Sequence, residues 1–364
     1  MRVGIPKEIK NHEYRVGLTP ASVFDVIQAG HEVIVETKAG CGIDFDDQDY
    51  RDVGATIVDT AADVFAGADM IVKVKEPQAE EVAMLESRHI LFTYLHLAAD
   101  KPQTEGLMKS GATCIAYETV TSPNRSLPLL KPMSEVAGRM SIQAGAHYLE
   151  KEQGGRGILL GGVPGVAPAT VVIIGGGIAG LNAAQMAVGL RADVTIYDIS
   201  NDRLAELSTN FGATIKTGYA SKAAIAAAVQ EAHLVVGAVL VPGGAAPKLI
   251  TREMLKTMKR GSVIVDIAID QGGCFETSRA TTHDEPVYEE EGIIHYCVAN
   301  MPGAVARTST FALNNATLPY VIQLANKGPI QAMADDPHLA AGLNVSDGKI
   351  RYEAVAEALD LPFN

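Results

Sequence analysis

The 364-residue chain sets 43 Asp and Glu against 30 Lys and Arg, a formal charge of −13, and this argues against nucleic-acid or anionic-membrane partners, which need a basic face. Its length exceeds what one doubly wound unit needs, so two domains with ample cores are expected, and 47% hydrophobic with 20% charged residues suits a soluble α/β enzyme. The opening MRVGIPKEIKNHE lacks an apolar core with a cleavage site, and no apolar run is long enough to span a bilayer, so a cytoplasmic protein is expected.

In chain order, MRVGIP reads as a strand, Thr19-Pro20 opens a helix, and HEVIVET, GATIVD, DMIVKVKEP, HILFTYLHLA and GATCIAYETV continue as strands separated by helical patterns. Such alternation predicts parallel strands joined by right-handed crossovers, a doubly wound domain without a glycine fingerprint of its own. Open α/β sheets bind ligands at the C-terminal ends of their strands, and that rule selects three residues. Arg15, in the polar loop NHEYRVGLTP, can hold a carboxylate through two parallel hydrogen bonds. On IVKVKEP, Lys73 and Lys75 share a face by strand alternation, and Lys75 sits at the strand end. His96 ends HILFTYLH one strand later and can exchange protons near neutral pH. The ordinary alternatives are a solvated arginine, an edge lysine and a satisfied structural histidine.

A long helix from Ser134, with Ala137, Met140, Ala144 and Leu149 at helical spacing, leads into a second domain. There Val171 to Ile174 read as a buried strand, Gly175, Gly177 and Gly180 spell G-x-G-x-x-G, an apolar helix follows, and Asp198 closes the next strand. The order is that of a dinucleotide-binding unit: a glycine for the tight turn, one for approach of the pyrophosphate, one for close packing, and phosphates on a helix N-terminus. Asp198 favours NAD over NADP because a carboxylate accepts from a ribose 2′-hydroxyl and repels a 2′-phosphate, although Arg203 stands near enough to pair with a phosphate.

HLVVGAVL, SVIVDIAID and IIHYCVANM follow as apolar strands. Asp266 and Asp270 are expected on one face of the second, with Asp270 reaching the nicotinamide end and a helix N-cap as its structural alternative. Cys41, Cys114, Cys274 and Cys297 are scattered without C-x-x-C spacing, so no zinc knuckle, redox pair or other metal site is indicated. After Pro302 the long helical segment STFALNNATLPYVIQLANK and a polar tail are expected to cross back and complete the first domain. The reading is thus α/β, two doubly wound Rossmann-like domains with a cleft between them: a substrate domain of residues 1–128 and 306–364, and an inserted nucleotide-binding domain of residues 129–305.

On these residues the chain resembles the bacterial L-alanine dehydrogenase family along essentially its whole length. VGIPKEIKNHEYRVGLTP, VKVKEP, LFTYLHLA, KPMSEVAGRM, GAVLVPG, VDIAIDQGG and NATLPY all match that pattern. The same family contains the NAD-binding part of proton-translocating transhydrogenase. The resemblance implies NAD-dependent, reversible deamination of L-alanine to pyruvate and ammonium in a homo-oligomer, a hexamer. It further implies that Arg15 and Lys75 hold substrate, that His96 is the general acid/base, and that Asp270 assists at the reacting amine or water. Carried over likewise, Ser134, Ile178, Ala179, Asp198, Arg203, Val239, Leu240, Ile267, Asp270, Arg279, Val298, Asn300 and Met301 join the glycines at NAD. Ala220, Ala306 and Pro329 depart from the pattern, where serine, proline and tryptophan are usual. A dehydrogenase of another small amino or 2-hydroxy acid, or a transhydrogenase module, is the alternative.

Overall fold

A computed structural model describes residues 1–239 and 246–363. The chain forms two compact units, Met1–Met133 with Val305–Asn364, and Ser134–Ala304 inserted between them in sequence. Among the described residues no helix is long and apolar enough to cross a membrane.

The first unit begins with six strands: β1 (Arg2–Ile5), β2 (Glu32–Glu36), β3 (Thr56–Val58), β4 (Met70–Val72), β5 (Ile90–Thr93) and β6 (Thr113–Ala116). They lie in the order β3-β2-β1-β4-β5-β6, all parallel. This is the doubly wound order, in which the chain reverses direction across the sheet beside β1 and β4. β4 and β5 are buried at every position, as expected of strands covered by helices on both faces. The first helix, Pro20–Gln28, starts where Thr19-Pro20 predicts, with the Thr19 side chain capping the Ser22 amide and Val23 and Val26 facing inward.

The second unit repeats the plan with β7 (Thr170–Ile174), β8 (Asp193–Asp198), β9 (Lys216–Tyr219), β10 (Leu234–Gly237), β11 (Val263–Asp266), β12 (Val287–Glu290) and β13 (Ile293–Tyr296). Its order is β12-β13-β11-β10-β7-β8-β9, parallel except for the β12–β13 pair. The chain then returns to the first unit through a helix at Ala306–Asp335 and a short antiparallel pair, β14 (Leu343–Ser346) and β15 (Lys349–Ile350), in which β14 pairs with β6. Asn314 fastens that helix: its Oδ1 accepts from the Thr19 amide at 2.7 Å and its Nδ2 donates to the Gly17 carbonyl at 3.0 Å. The helix bends at Gly328 (φ 71°), directly before Pro329, which has no amide to donate.

Two predicted strands end early. β4 stops at Val72, so Lys73 and Lys75 lie past the regular strand. β11 stops at Asp266, whose buried side chain accepts from the Ala268 amide and turns residues Ile267–Gln271 into a 3-10 helix. Asp266 and Asp270 therefore do not share a strand face as expected: Asp266 is fully buried and Asp270 is exposed on the turn.

Candidate active site

In the second unit the sharp turn after β7 is made by Gly175 at φ +99°, where a Cβ would lie 2.6 Å from the Ala238 carbonyl oxygen. A Cβ on Gly180 would collide with the Gly175 carbonyl oxygen, whereas nothing lies within 4 Å of where one on Gly177 would point. The three glycines thus turn the chain, open an approach and allow close packing, as the spacing predicts. Gly177 is the N-cap of the helix Ile178–Gly189 and supplies no side-chain cap, which leaves the first amides of that helix for an anion.

The Gly176 peptide is gripped on both sides. Its N–H donates to Asp198 Oδ2 at 2.7 Å, and its carbonyl accepts from Arg203 Nε at 2.6 Å. Asp198 also accepts from the Ser200 amide at 2.8 Å, and Arg203 forms an ion pair with Glu206 at 2.5 Å. Arg203 therefore braces the loop, with its charge paired by Glu206.

A cavity of about 430 Å³ opens over this loop. Ser134, Gly175, Gly177, Ile178, Ala179, Asp198 and Val239 line it, together with Ile174, Tyr197, Ile199, Ala220, Ala238, Pro247 and Leu249. Apolar walls, a carboxylate and an uncapped helix N-terminus suit adenine, ribose and pyrophosphate respectively, so the residues present fit a dinucleotide. Ile199, 73% exposed directly after Asp198, and the Pro247–Leu249 wall are missed by motif reading, although an exposed isoleucine behind the acidic residue is a signal in IYDIS. Ala220 does line the cavity, and the neighbouring Ser221 hydroxyl is engaged in capping the Ala224 amide at 3.2 Å.

The other expected cofactor residues lie elsewhere in this unit. Gly180 is buried in its helix, and Ile267 is half-buried on the turn after β11. The Arg279 guanidinium sits 3.8 Å over the Tyr288 ring, Val298 bridges Thr281, the Asn300 carbonyl accepts from His283 at 2.8 Å, and Met301 is buried. Leu240 lies outside the described residues. Beneath the Asp270 turn, Asp266 accepts from the Cys274 amide at 2.9 Å and from the Ser278 hydroxyl; burial nevertheless pushes its carboxyl above the usual carboxylate range.

In the first unit, Arg15, Lys75 and His96 all follow C-terminal strand ends. Arg15 is 2% exposed and doubly bonded to Glu13, with Nε to Oε1 at 2.6 Å and Nη2 to Oε2 at 2.5 Å. Burial opposes its charge, but Glu13 more than offsets that. Lys73 is sequestered between Glu81 (2.6 Å) and Glu8 (3.1 Å), which leaves Lys75 as the partly accessible cation, 4.0 Å from Glu76. Burial raises the Glu76 carboxyl, yet Lys75 and Lys10 together hold it below its ordinary value.

His96 adopts the left-handed conformation (φ 50°, ψ 38°), rare for a residue with a side chain, and its ring is 43% exposed. The Tyr94 ring stacks parallel to it at 5.8 Å. Sequence reading passed over Glu118, in the turn after β6, whose Oε1 accepts from the His96 amide at 2.6 Å and the Leu95 amide at 3.1 Å.

Comparison with known proteins decides the lineage. Family profiles described as alanine dehydrogenase/PNT match residues 4–137 (N-terminal domain) and 141–353 (C-terminal domain). The chain belongs to the alanine dehydrogenase/PNT family. An alanine dehydrogenase of Halomonas elongata is 61% identical over 363 residues, 100% of this chain and 98% of that protein. A solved L-alanine dehydrogenase superposes with a TM-score of 0.96 at 54% identity, covering 99% of both chains. A transhydrogenase from Sinorhizobium meliloti gives 0.84 at 26% identity, covering 97% of this chain and 100% of that one. For this alanine dehydrogenase/PNT family member, both units thus follow a shared α/β plan.

Proposed function

We propose that this chain catalyses the NAD-dependent, reversible oxidative deamination of L-alanine to pyruvate and ammonium. The reading is carried by the end-to-end likeness to alanine dehydrogenases in a chain that has an acid-closed glycine loop in one unit and, in the other, Arg15, Lys75 and His96 in the segments that follow C-terminal strand ends. Gly175, Gly177, Asp198 and the lining of the 430 Å³ cavity would hold the dinucleotide. NAD is favoured over NADP because Asp198 occupies the strand end while Arg203 is paired with Glu206.

A nicotinamide held over this cavity would supply the acceptor for the hydride that leaves the substrate Cα. Arg15, oriented by Glu13, and Lys75 neutralise the substrate carboxylate and the developing carbonyl oxygen. As the substrate becomes an iminium, His96 takes a proton from the water that adds to that carbon, and returns one as the carbinolamine releases ammonia. Asp270 assists at the amine or water. Residues 1–128 with 306–364 then form the substrate domain and 129–305 the cofactor domain. A cytoplasmic homo-hexamer is part of the same proposal.

The test is NADH absorbance with L-alanine and NAD at alkaline pH, run beside His96→Ala and Asp270→Asn. Turnover in the wild type that collapses in both variants is expected. A wild type inert with alanine but active with another small amino or 2-hydroxy acid would sink the substrate assignment, and inertness with all of them would sink the enzyme reading.

A further inference from the structure

β5 ends at Thr93, so the amides of Leu95 and His96 can no longer be satisfied by the sheet. Both point at one carboxylate. Glu118 Oε1 accepts from His96 at 2.6 Å and from Leu95 at 3.1 Å, and Oε2 lies 3.3 Å from the Leu95 amide. Two successive N–H groups at a left-handed kink form a small anion-binding concavity, here filled by a side chain of the same fold. The carbonyl side of the segment is held too: Gln103 Nε2 donates to the Leu95 oxygen at 3.0 Å and Thr104 to the Leu97 oxygen at 3.3 Å. The imidazole itself makes no hydrogen bond to Glu118, since Nδ1 is 3.9 Å from Oε1.

The geometry points to Glu118 as the positioning residue of His96: its carboxylate holds the left-handed turn through the Leu95 and His96 amides and thereby aims the imidazole. The inference rests on the reading of His96 as the proton-transfer group. Glu118 acts through the backbone, so one acceptor oxygen is enough, and Oε1 is the atom shared by both amides. The carboxylate sits 22 residues further along the chain, on the turn after the neighbouring strand, so that β5 and β6 brace the same histidine from two directions.

The experiment uses the full-length protein and compares wild type, Glu118→Ala, Glu118→Gln and His96→Ala for kcat, KM for L-alanine and NADH affinity. Glu118→Ala is expected to lose about 10²-fold in kcat, the size of effect that a misplacement of about 1 Å produces, with KM and NADH affinity within about threefold. Glu118→Gln, which keeps one acceptor for both amides, is expected to restore kcat to within about threefold of wild type. If Glu118→Ala does not fold, Glu118→Asp takes its place, with a carboxylate one methylene short and the same kcat loss expected. Wild-type kcat in the shortened or truncated variant beside an inactive His96→Ala would overturn the positioning role. So would a glutamine variant as impaired as the alanine one, because charge and not backbone support would then be acting. An active His96→Ala would instead remove the histidine reading on which the inference rests.

Discussion

Gly180 has no room for a methyl group, because its Cβ would fall on the Gly175 carbonyl oxygen at the turn that faces the cavity. Gly180→Ala is therefore expected to weaken NADH binding at least about tenfold, read by fluorescence titration, while Gly177→Ala leaves the fold intact. His96→Ala is expected to lower kcat about 10²- to 10⁴-fold with NADH affinity within about threefold, because its ring takes no part in the glycine loop or in the lining of the cavity over it. At this scale the sequence was legible in where candidate residues fall relative to the strands. Asp198 closes a strand, Gly175 directly follows one, and Lys75 and His96 lie three residues past theirs, since a run of apolar residues shows where a strand ends only to within a few positions. Glu118 was not legible, since its partners are backbone amides, which leave no trace in side-chain pattern. The expected pairing of Asp266 with Asp270 failed for a related reason: Asp266 caps the turn after its own strand and so stops the alternation on which the pairing depended.

Each sheet depends on how its elements settle their charges. Lys73 is fully enclosed with Glu8 and Glu81, and burial pushes the Glu8 carboxyl up against the opposing pull of Lys73. Lys73→Met would leave two buried carboxylates without their cation and is expected to cost about 3–5 kcal/mol in urea unfolding. On β13, His295 is buried, its Nδ1 2.9 Å from the Ile293 carbonyl and its Nε2 2.7 Å from the Thr277 hydroxyl. That arrangement suits a neutral ring with the proton on Nδ1, the Thr277 hydroxyl donating to Nε2. Burial lowers the pKa of His295 below its ordinary 6.5, so its contribution is fully present above pH 6.5 and is lost as pH falls through the lower, folded value. His295→Gln should accordingly flatten the fall in unfolding free energy between pH 7 and 5, by up to about 1.4 kcal/mol per pH unit; an unchanged slope would contradict the assignment. The central strands were legible as buried apolar runs. β9, β12, β14 and β15 were not, because they are short edge or near-edge strands: β9 is largely exposed, β12 carries two glutamates, and β14 buries Asn344 and Ser346 in place of apolar side chains.

For the whole molecule, the strand order 3-2-1-4-5 shared by both units, continued by β6 in the first and by β13 with its antiparallel partner β12 in the second, explains why a chain with a single glycine fingerprint still reads as two doubly wound sheets. The sequence pattern revealed the return of the chain, because an apolar helix follows the last strand of the inserted unit, but not the β14–β15 pair that ends it. A dinucleotide that binds only the folded state should raise the unfolding free energy by about 2.7 kcal/mol at 100 times its Kd, and Gly180→Ala should lose that protection in a thermal melt. The nesting of one unit inside the other also sets an order of events during synthesis. Ser134–Ala304 is contiguous and can fold as soon as it leaves the ribosome, whereas β6 has no β14 beside it and Gly17 and Thr19 have no Asn314 until the last sixty or so residues have been made. Some 230 residues separate the end of β6 at Ala116 from the end of β14 at Ser346, so at about 5–20 residues per second the nascent chain shows an open sheet edge for roughly 12–46 s, the interval in which a chaperone would have the most to protect.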